Sequence, residues 1–216
     1  MQLHAAIVPP PSVVEAALEA ARVIVSPPAP SAPEQKARLL DRVLGRREPE
    51  APAPPELTFT EAAPGAAHVR LAKFGNVTST DAGSLADALA AAAGGWPVPV
   101  VYVTHLVVGK AYPFEVSARL EGDLDALRGL HRHVNEVAQS QGFFLDRRSF
   151  RSELVLGAVQ TAEYDSSVPL AGIEVPCRGP YWSPTHVTLL RSSWAAGATT
   201  FTEYERIDLA GDPALP

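Results

Sequence analysis

An α+β fold, in which sheets carry helices on one face, is predicted by three features of the sequence. Short apolar runs of strand length recur along the chain. Two long stretches instead repeat their apolar residues at helical spacing, and strands and helices do not alternate strictly. A strand, helix and strand pair also occurs in each half, a loose internal echo that fits a duplicated two-lobe plan.

Taken in order, residues 3–8 form an apolar run stopped by Pro9, Pro10 and Pro11. Ser12 and Glu15 then give the S-x-x-E spacing of a capping box, so a helix is expected to begin at Val13. From 26 to 56 the composition shifts to proline, alanine and charge, with a short helical pattern over 34–44. Proline offers no donor to a sheet ladder, so this segment reads as a surface insert and mobile connector without chemistry of its own. Residues 57–59 and 67–74 read as strands, and a helix follows from near Thr80 to Gly94. Residues 98–108 and 114–120 are the next strands, separated by a glycine and proline turn. Leu124, Leu127, Leu130, Val134 and Val137 then mark a second long helix up to Gly142. Residues 154–159 and 185–190 complete the strands. The reading is one domain over 1–210, with the insert inside it and a tail at 211–216.

Composition narrows the function. The chain has 216 residues, 46% hydrophobic and 19% charged, enough for a real core. Its net charge of -6 argues against broad, sequence-independent binding of duplex nucleic acid, which needs many cationic contacts, while leaving room for a small phosphate pocket. Cys177 stands alone, and residues 1–8 lack the basic flank and long apolar run of a signal peptide, so a cytoplasmic location is expected. No stretch reaches the roughly 20 apolar residues of a membrane span. No zinc spacing, glycine-rich phosphate loop or nucleophile elbow is present, so neither metal nor cofactor is expected.

Two segments carry a resemblance. His68-Val69-Arg70-Leu71 runs into Phe74-Gly75-Asn76-Val77 ahead of a helix, and Phe150-Arg151-Ser152-Glu153-Leu154-Val155 follows the second long helix. Their order, with the opening strand ending in prolines and a closing segment over 182–193 with Gly197 and Tyr204 in register, resembles the 2H phosphoesterase superfamily of the LigT or 2'-5' RNA ligase type. That resemblance spans nearly the whole chain apart from the insert. It implies a two-lobed fold whose antiparallel sheets line a central cleft with helices outside. It also implies an RNA 2',3'-cyclic phosphodiesterase ancestry without metal. Members carry one H-x-T motif in each lobe. Here the first keeps its histidine, His68, with Arg70 in the threonine place, and the second has Glu153 for histidine and Val155 for threonine.

Opening a cyclic phosphate needs a base, an acid and donors for the phosphoryl oxygens. His68 and Arg70, at i and i+2 on a strand, share a face, and a guanidinium fork clamps phosphate more strongly than a hydroxyl. Glu153, with a reference pKa of about 4.3, is anionic at neutral pH and repels phosphate unless burial raises it. Val155 offers no hydrogen bond. The candidate catalytic residues are therefore His68 and Glu153, and the candidate substrate-binding residues are Arg70, Arg151 and Val155. The expected ligand is an RNA end or a small nucleotide with a cyclic phosphate, and the expected activity is weak or lost. A competing reading pairs Arg70 with Glu153 and fills the cleft. Two alternatives stand beside these: an active phosphoesterase using His68 with Glu153 or His186, and a noncatalytic interaction scaffold.

His186-Val187-Thr188 is a literal H-x-T, but its neighbourhood matches the closing strand, so His186 is read as a structural strand residue. His131 and His133 diverge around a helix and are read as solvent-facing. His105 is read as a buried or edge residue. Arg147, Arg148 and Arg151 either line the cleft mouth or form a solvated loop. Tyr102, Tyr112, Phe114, Trp182 and Trp194 are read as core aromatics ahead of base-stacking ones.

Overall fold

A computed structural model describes residues 1–25, 57–63, 65–145, 150–161, 170–195 and 197–210. The insert, the tail, Arg147 and Arg148 lie outside these residues. Two antiparallel sheets carry the architecture. The first holds β1 (Gln2–Ile7), β3 (Val69–Asn76), β8 (His186–Ala195) and β9 (Ala198–Asp208) in the order β3-β1-β8-β9. The second holds β2 (Leu57–Glu61), β4 (Val101–Val108), β5 (Phe114–Gly122), β6 (Glu153–Thr161) and β7 (Glu174–Pro176) in the order β2-β6-β5-β4-β7.

Three helices among the described residues cover one face of each sheet: α1 (Pro11–Val25), α2 (Ser79–Ala93) and α3 (Leu124–Ser140). α1 and α3 are exchanged between the sheets, whereas α2 packs on β9 of the sheet it follows. β1 belongs to the first sheet, yet α1 packs on β2, β4 and β6 of the second, whereas α3, which follows β5 of the second sheet, packs on β3 of the first. A single apolar core results, running from Leu3, Ala5 and Ile7 through Leu85 and Leu130 to Leu106, Leu120 and Leu156. This is the expected α+β, two-lobed plan.

Local chemistry sets the element ends. α1 begins at Pro11, whose fixed φ and missing N–H suit a first helical position. Ser12 therefore lies inside the first turn, and the expected capping box is not the start signal. α2 is capped by Thr78, whose hydroxyl accepts from the Asp81 amide at 3.1 Å, as N-cap threonines do. No helix of the described residues is long and apolar enough to cross a membrane.

Two further expectations are corrected. His131 and His133 do not face free solvent. His131 donates from Nδ1 to the Leu71 carbonyl at 2.7 Å and stacks on Phe150 with ring centroids 4.8 Å apart, and His133 stacks on Trp96. β3 is an edge strand, and its Leu71 carbonyl finds its partners on α3, in His131 and, at 3.4 Å, Asn135. Trp194 is no core aromatic either: it stands 73% exposed at the β8–β9 hairpin.

Candidate functional site

Each sheet keeps one face free of helices. In β1 the alternation sends Leu3, Ala5 and Ile7 to the core, leaving Gln2, His4 and Ala6 on the opposite face. Register then builds that face in rows. Ala6 lies between Arg70 of β3 and Thr188 of β8, which pairs with Arg206 of β9. His4 lies between Lys73 and Leu190, which pairs with Glu203, and Gln2 lies between Asn76 and Ser192, which pairs with Phe201.

The β2–β3 connection delivers His68 to this face. The Ala62 amide still bonds the Leu156 carbonyl of β6 at 2.8 Å, and the chain then crosses to the first sheet. Gly65 takes φ +78 there, and a Cβ on it would sit 2.9 Å from the Phe201 carbonyl oxygen, so glycine alone fits both the backbone and the approach. His68, only 6% exposed, donates from Nδ1 to the Gly65 carbonyl at 2.8 Å. Its ring meets Phe201 edge-on with centroids 4.7 Å apart. With Nδ1 carrying the proton, Nε2 is the free acceptor, the form a general base requires. Burial lowers the pKa of His68; the Gly65 carbonyl opposes this, and the Arg70 charge adds to it.

A second histidine shares the face. His4, 5% exposed, meets the same Phe201 ring at 5.5 Å and hydrogen-bonds Ser192 through Nε2 at 3.0 Å. Burial first, then Arg70, His68 and Lys73, lower its pKa to about 4. Both imidazoles are thus neutral at pH 7. Arg70 is exposed, and no ion pair joins it to the described residues.

The second sheet's open face is different. Glu153 sits opposite Arg119, and Val155 opposite Ser117. Arg151 holds Glu153 at 3.2 Å, and Arg119 lies 4.0 Å from Glu174. An open hollow of about 410 Å³ is lined here by Glu115, Ser117, Arg119, Phe150, Arg151 and Glu153, among others. Neither His68 nor Arg70 lines it. The structure thus brings His68 together with Arg70, and Glu153 together with Arg151, but no hydrogen bond or ion pair among the described residues links the two sets. The expected Arg70–Glu153 pair does not form: Glu153 pairs with Arg151 in its own sheet, and Arg70 stands in the other.

His186 opens β8 opposite Asp208 and is bonded through Nδ1 to the Thr185 hydroxyl at 3.0 Å. It lines a separate hollow of about 270 Å³ with Thr188, Trp182 and the proline turn after β1. His105 is half-buried, with Nδ1 on the Thr104 hydroxyl at 2.8 Å. Among the described residues no group of three or more His, Cys, Asp or Glu side chains could hold a metal. His4 escapes a motif-based reading because its neighbours come only from strand order; the available signal is a lone polar residue inside an apolar strand.

No family model and no curated protein matches the chain. Solved structures do. TT0787 of Thermus thermophilus superposes with a TM-score of 0.65 at 16% identity, covering 98% of this chain and 100% of its own. E. coli LigT complexed with ATP gives 0.59 at 17%, covering 97% and 98%. E. coli LigT complexed with 3'-AMP gives 0.56 at 19% with the same coverage. Nearly end to end, then, this chain has the two-lobed α+β fold of E. coli LigT.

Proposed function

We propose that the protein binds phosphorylated nucleotides, RNA 2',3'-cyclic phosphate ends among them, through His68 and Arg70, with weak or absent turnover. One observation carries this reading: on the first sheet a neutral imidazole with Nε2 free stands beside an arginine that forms no ion pair with the described residues. Such a guanidinium is available to a phosphate as a charge-assisted fork. E. coli LigT, which has this fold, is known complexed with ATP and 3'-AMP, ligands of the same chemistry.

Weak turnover follows from the second motif. Hydrolysis of a cyclic phosphate needs His68 Nε2 to take a proton from water and a second group to protonate the departing ribose oxygen. Glu153 stands in the place of that second group, and its carboxylate is paired with Arg151 at 3.2 Å. Losing one acid or base typically costs roughly a hundred- to ten-thousand-fold in rate. Arg151 and Val155 would border the outer part of the nucleotide, the Arg151 charge being largely spent on Glu153. The proposed setting is the cytoplasm, and the chemistry needs no metal.

Titration of the protein with 2',3'-cyclic AMP, followed by calorimetry and by product formation, tests this. Saturable binding that His68→Ala removes, with little product, is the expected outcome. Rapid hydrolysis would make the protein a working phosphoesterase, and an unsaturable titration would leave only the scaffold.

A further inference from the structure

We infer that His4 and Thr188 complete a phosphoryl-binding set with His68 and Arg70 on the first sheet, so that the second imidazole of the site comes from β1 and not from the second motif. This rests on the binding reading above and adds two residues to it.

Two buried polar atoms on this face have no partner: His4 Nδ1 and the Thr188 hydroxyl oxygen. His4 is 5% and Thr188 1% exposed. Buried polar atoms are almost always hydrogen-bonded, and an orphan is costly to leave unmade. These two are close neighbours. Ala6 pairs with Thr188 on one side and Arg70 on the other, and His4 follows two residues along β1 on the same face. Ala6 presents only a methyl group, itself fully buried, between Arg70 and Thr188. A tetrahedral phosphoryl group set over Ala6 would receive the Arg70 fork, the Thr188 hydroxyl and an imidazole N–H from His4, with His68 beyond.

The proton inventory agrees. The Ser192 hydroxyl lies 3.0 Å from His4 Nε2 and 3.4 Å from the Gln2 side-chain oxygen, so it can donate to either. When it donates to Nε2, the His4 proton sits on Nδ1, which becomes a donor without a partner. An anion at Nδ1 selects that tautomer. The charges facing the site are Arg70 and Lys73 on β3 and Arg206 and Glu203 on β9, the last two paired at 2.8 Å. The balance is cationic on a chain whose net charge is -6. Of the four residues, Thr188 also lines the hollow of about 270 Å³ beside the proline turn.

A residue kept for binding and one kept for folding respond differently to an apolar replacement. If His4 served only the fold, His4→Phe would lower thermal stability and affinity together. If it receives phosphate, His4→Phe removes a buried orphan, so stability holds or rises while affinity falls.

The test is calorimetric titration of the full chain, His4→Phe and Thr188→Val with 2',3'-cyclic AMP and, separately, inorganic phosphate, alongside thermal melting. We expect each variant to lose about tenfold or more in affinity, the size of one lost hydrogen bond to a charged group, without a drop in melting temperature. Phosphate should also shift the His4 imidazole resonances of the unsubstituted protein. Binding kept within about twofold in both variants but lost in His68→Ala would overturn the role of His4 and Thr188 and leave the binding reading intact. No binding by the unsubstituted protein would overturn both. If His4→Phe fails to fold, unchanged affinity in Thr188→Val together with unmoved His4 resonances overturns the proposal.

Discussion

The two helix-free faces are built alike and charged unlike. On the second sheet Arg151 pairs with Glu153 and Arg119 approaches Glu174, beside Glu115, unpaired among the described residues, and the buried, unpartnered Nε2 of His105, which shares the Arg119–Glu153 row. On the first, Arg70 has no ion pair among the described residues, His68 Nε2 lacks a partner there, and His4 Nδ1 and the Thr188 hydroxyl are buried without one. Exposed ion pairs contribute about 0–1 kcal/mol each, so the second face gains little from its pairs. The first carries an energetic cost that a bound anion would offset.

Restoring the second motif would attack that contrast most directly. If the second face lost only its acid, Glu153→His with Val155→Thr should raise cyclic phosphate hydrolysis by roughly a hundredfold, the typical worth of a general acid. Unchanged turnover in a product assay would mean that the two faces do not act on one ligand. Next in size, Arg70→Ala should weaken 2',3'-cyclic AMP by about tenfold or more, and Arg151→Ala by less than about threefold, because Arg151 is held by Glu153 and Arg70 by no described carboxylate. Equal losses in calorimetry would erase the distinction.

The histidines give a pH signature. His4 protonates near 6.5 when unfolded and at about 4 when folded. Below pH 6.5 the unfolded state therefore binds the extra proton first. Stability should fall as pH drops from 6.5 towards 4, by on the order of 3 kcal/mol at the limit. Denaturant titrations across this range should show the loss, and His4→Phe should flatten it. The smallest effect is expected at the β2–β3 crossing: Gly65→Ala, at φ +78 with 2.9 Å to the Phe201 oxygen, should cost about 1–2 kcal/mol. A melting temperature unchanged from the parent would show that the connection yields freely.

Much of the architecture was legible from sequence. Apolar runs located β1, β3, β4, β5 and β6, and the 3.6-residue period located α3, because each buries one face. β9 was not legible as a strand: Thr199, Thr200, Thr202, Glu203, Glu205 and Arg206 leave little apolar pattern, and the strand exists because β8 offers it a ladder. β7 spans three residues, too short for any period. Within the site, the i and i+2 spacing puts His68 and Arg70 on one strand, but β3 begins at Val69, and His68 precedes it, held by the Gly65 turn. His4 was not legible, since its role depends on β1 lying between β3 and β8. The Arg70–Glu153 pairing failed because spacing along the chain gave no hint that Glu153 would pair with Arg151 in its own sheet.

The bond from His4 to Ser192 joins residues 188 positions apart. The first sheet joins the opening strand β1 to the closing strands β8 and β9, with β3 on its other side. Each sheet has one hairpin, β4–β5 or β8–β9, and each must also close a loop, but β1–β8 pairs Gln2 with Ser192 where β2–β6 pairs Glu61 with Gly157, so the first sheet waits on the longer closure. Ligand affinity should therefore be the last property to return on refolding, and the first lost when β1 comes away from β8, even with the other lobe intact.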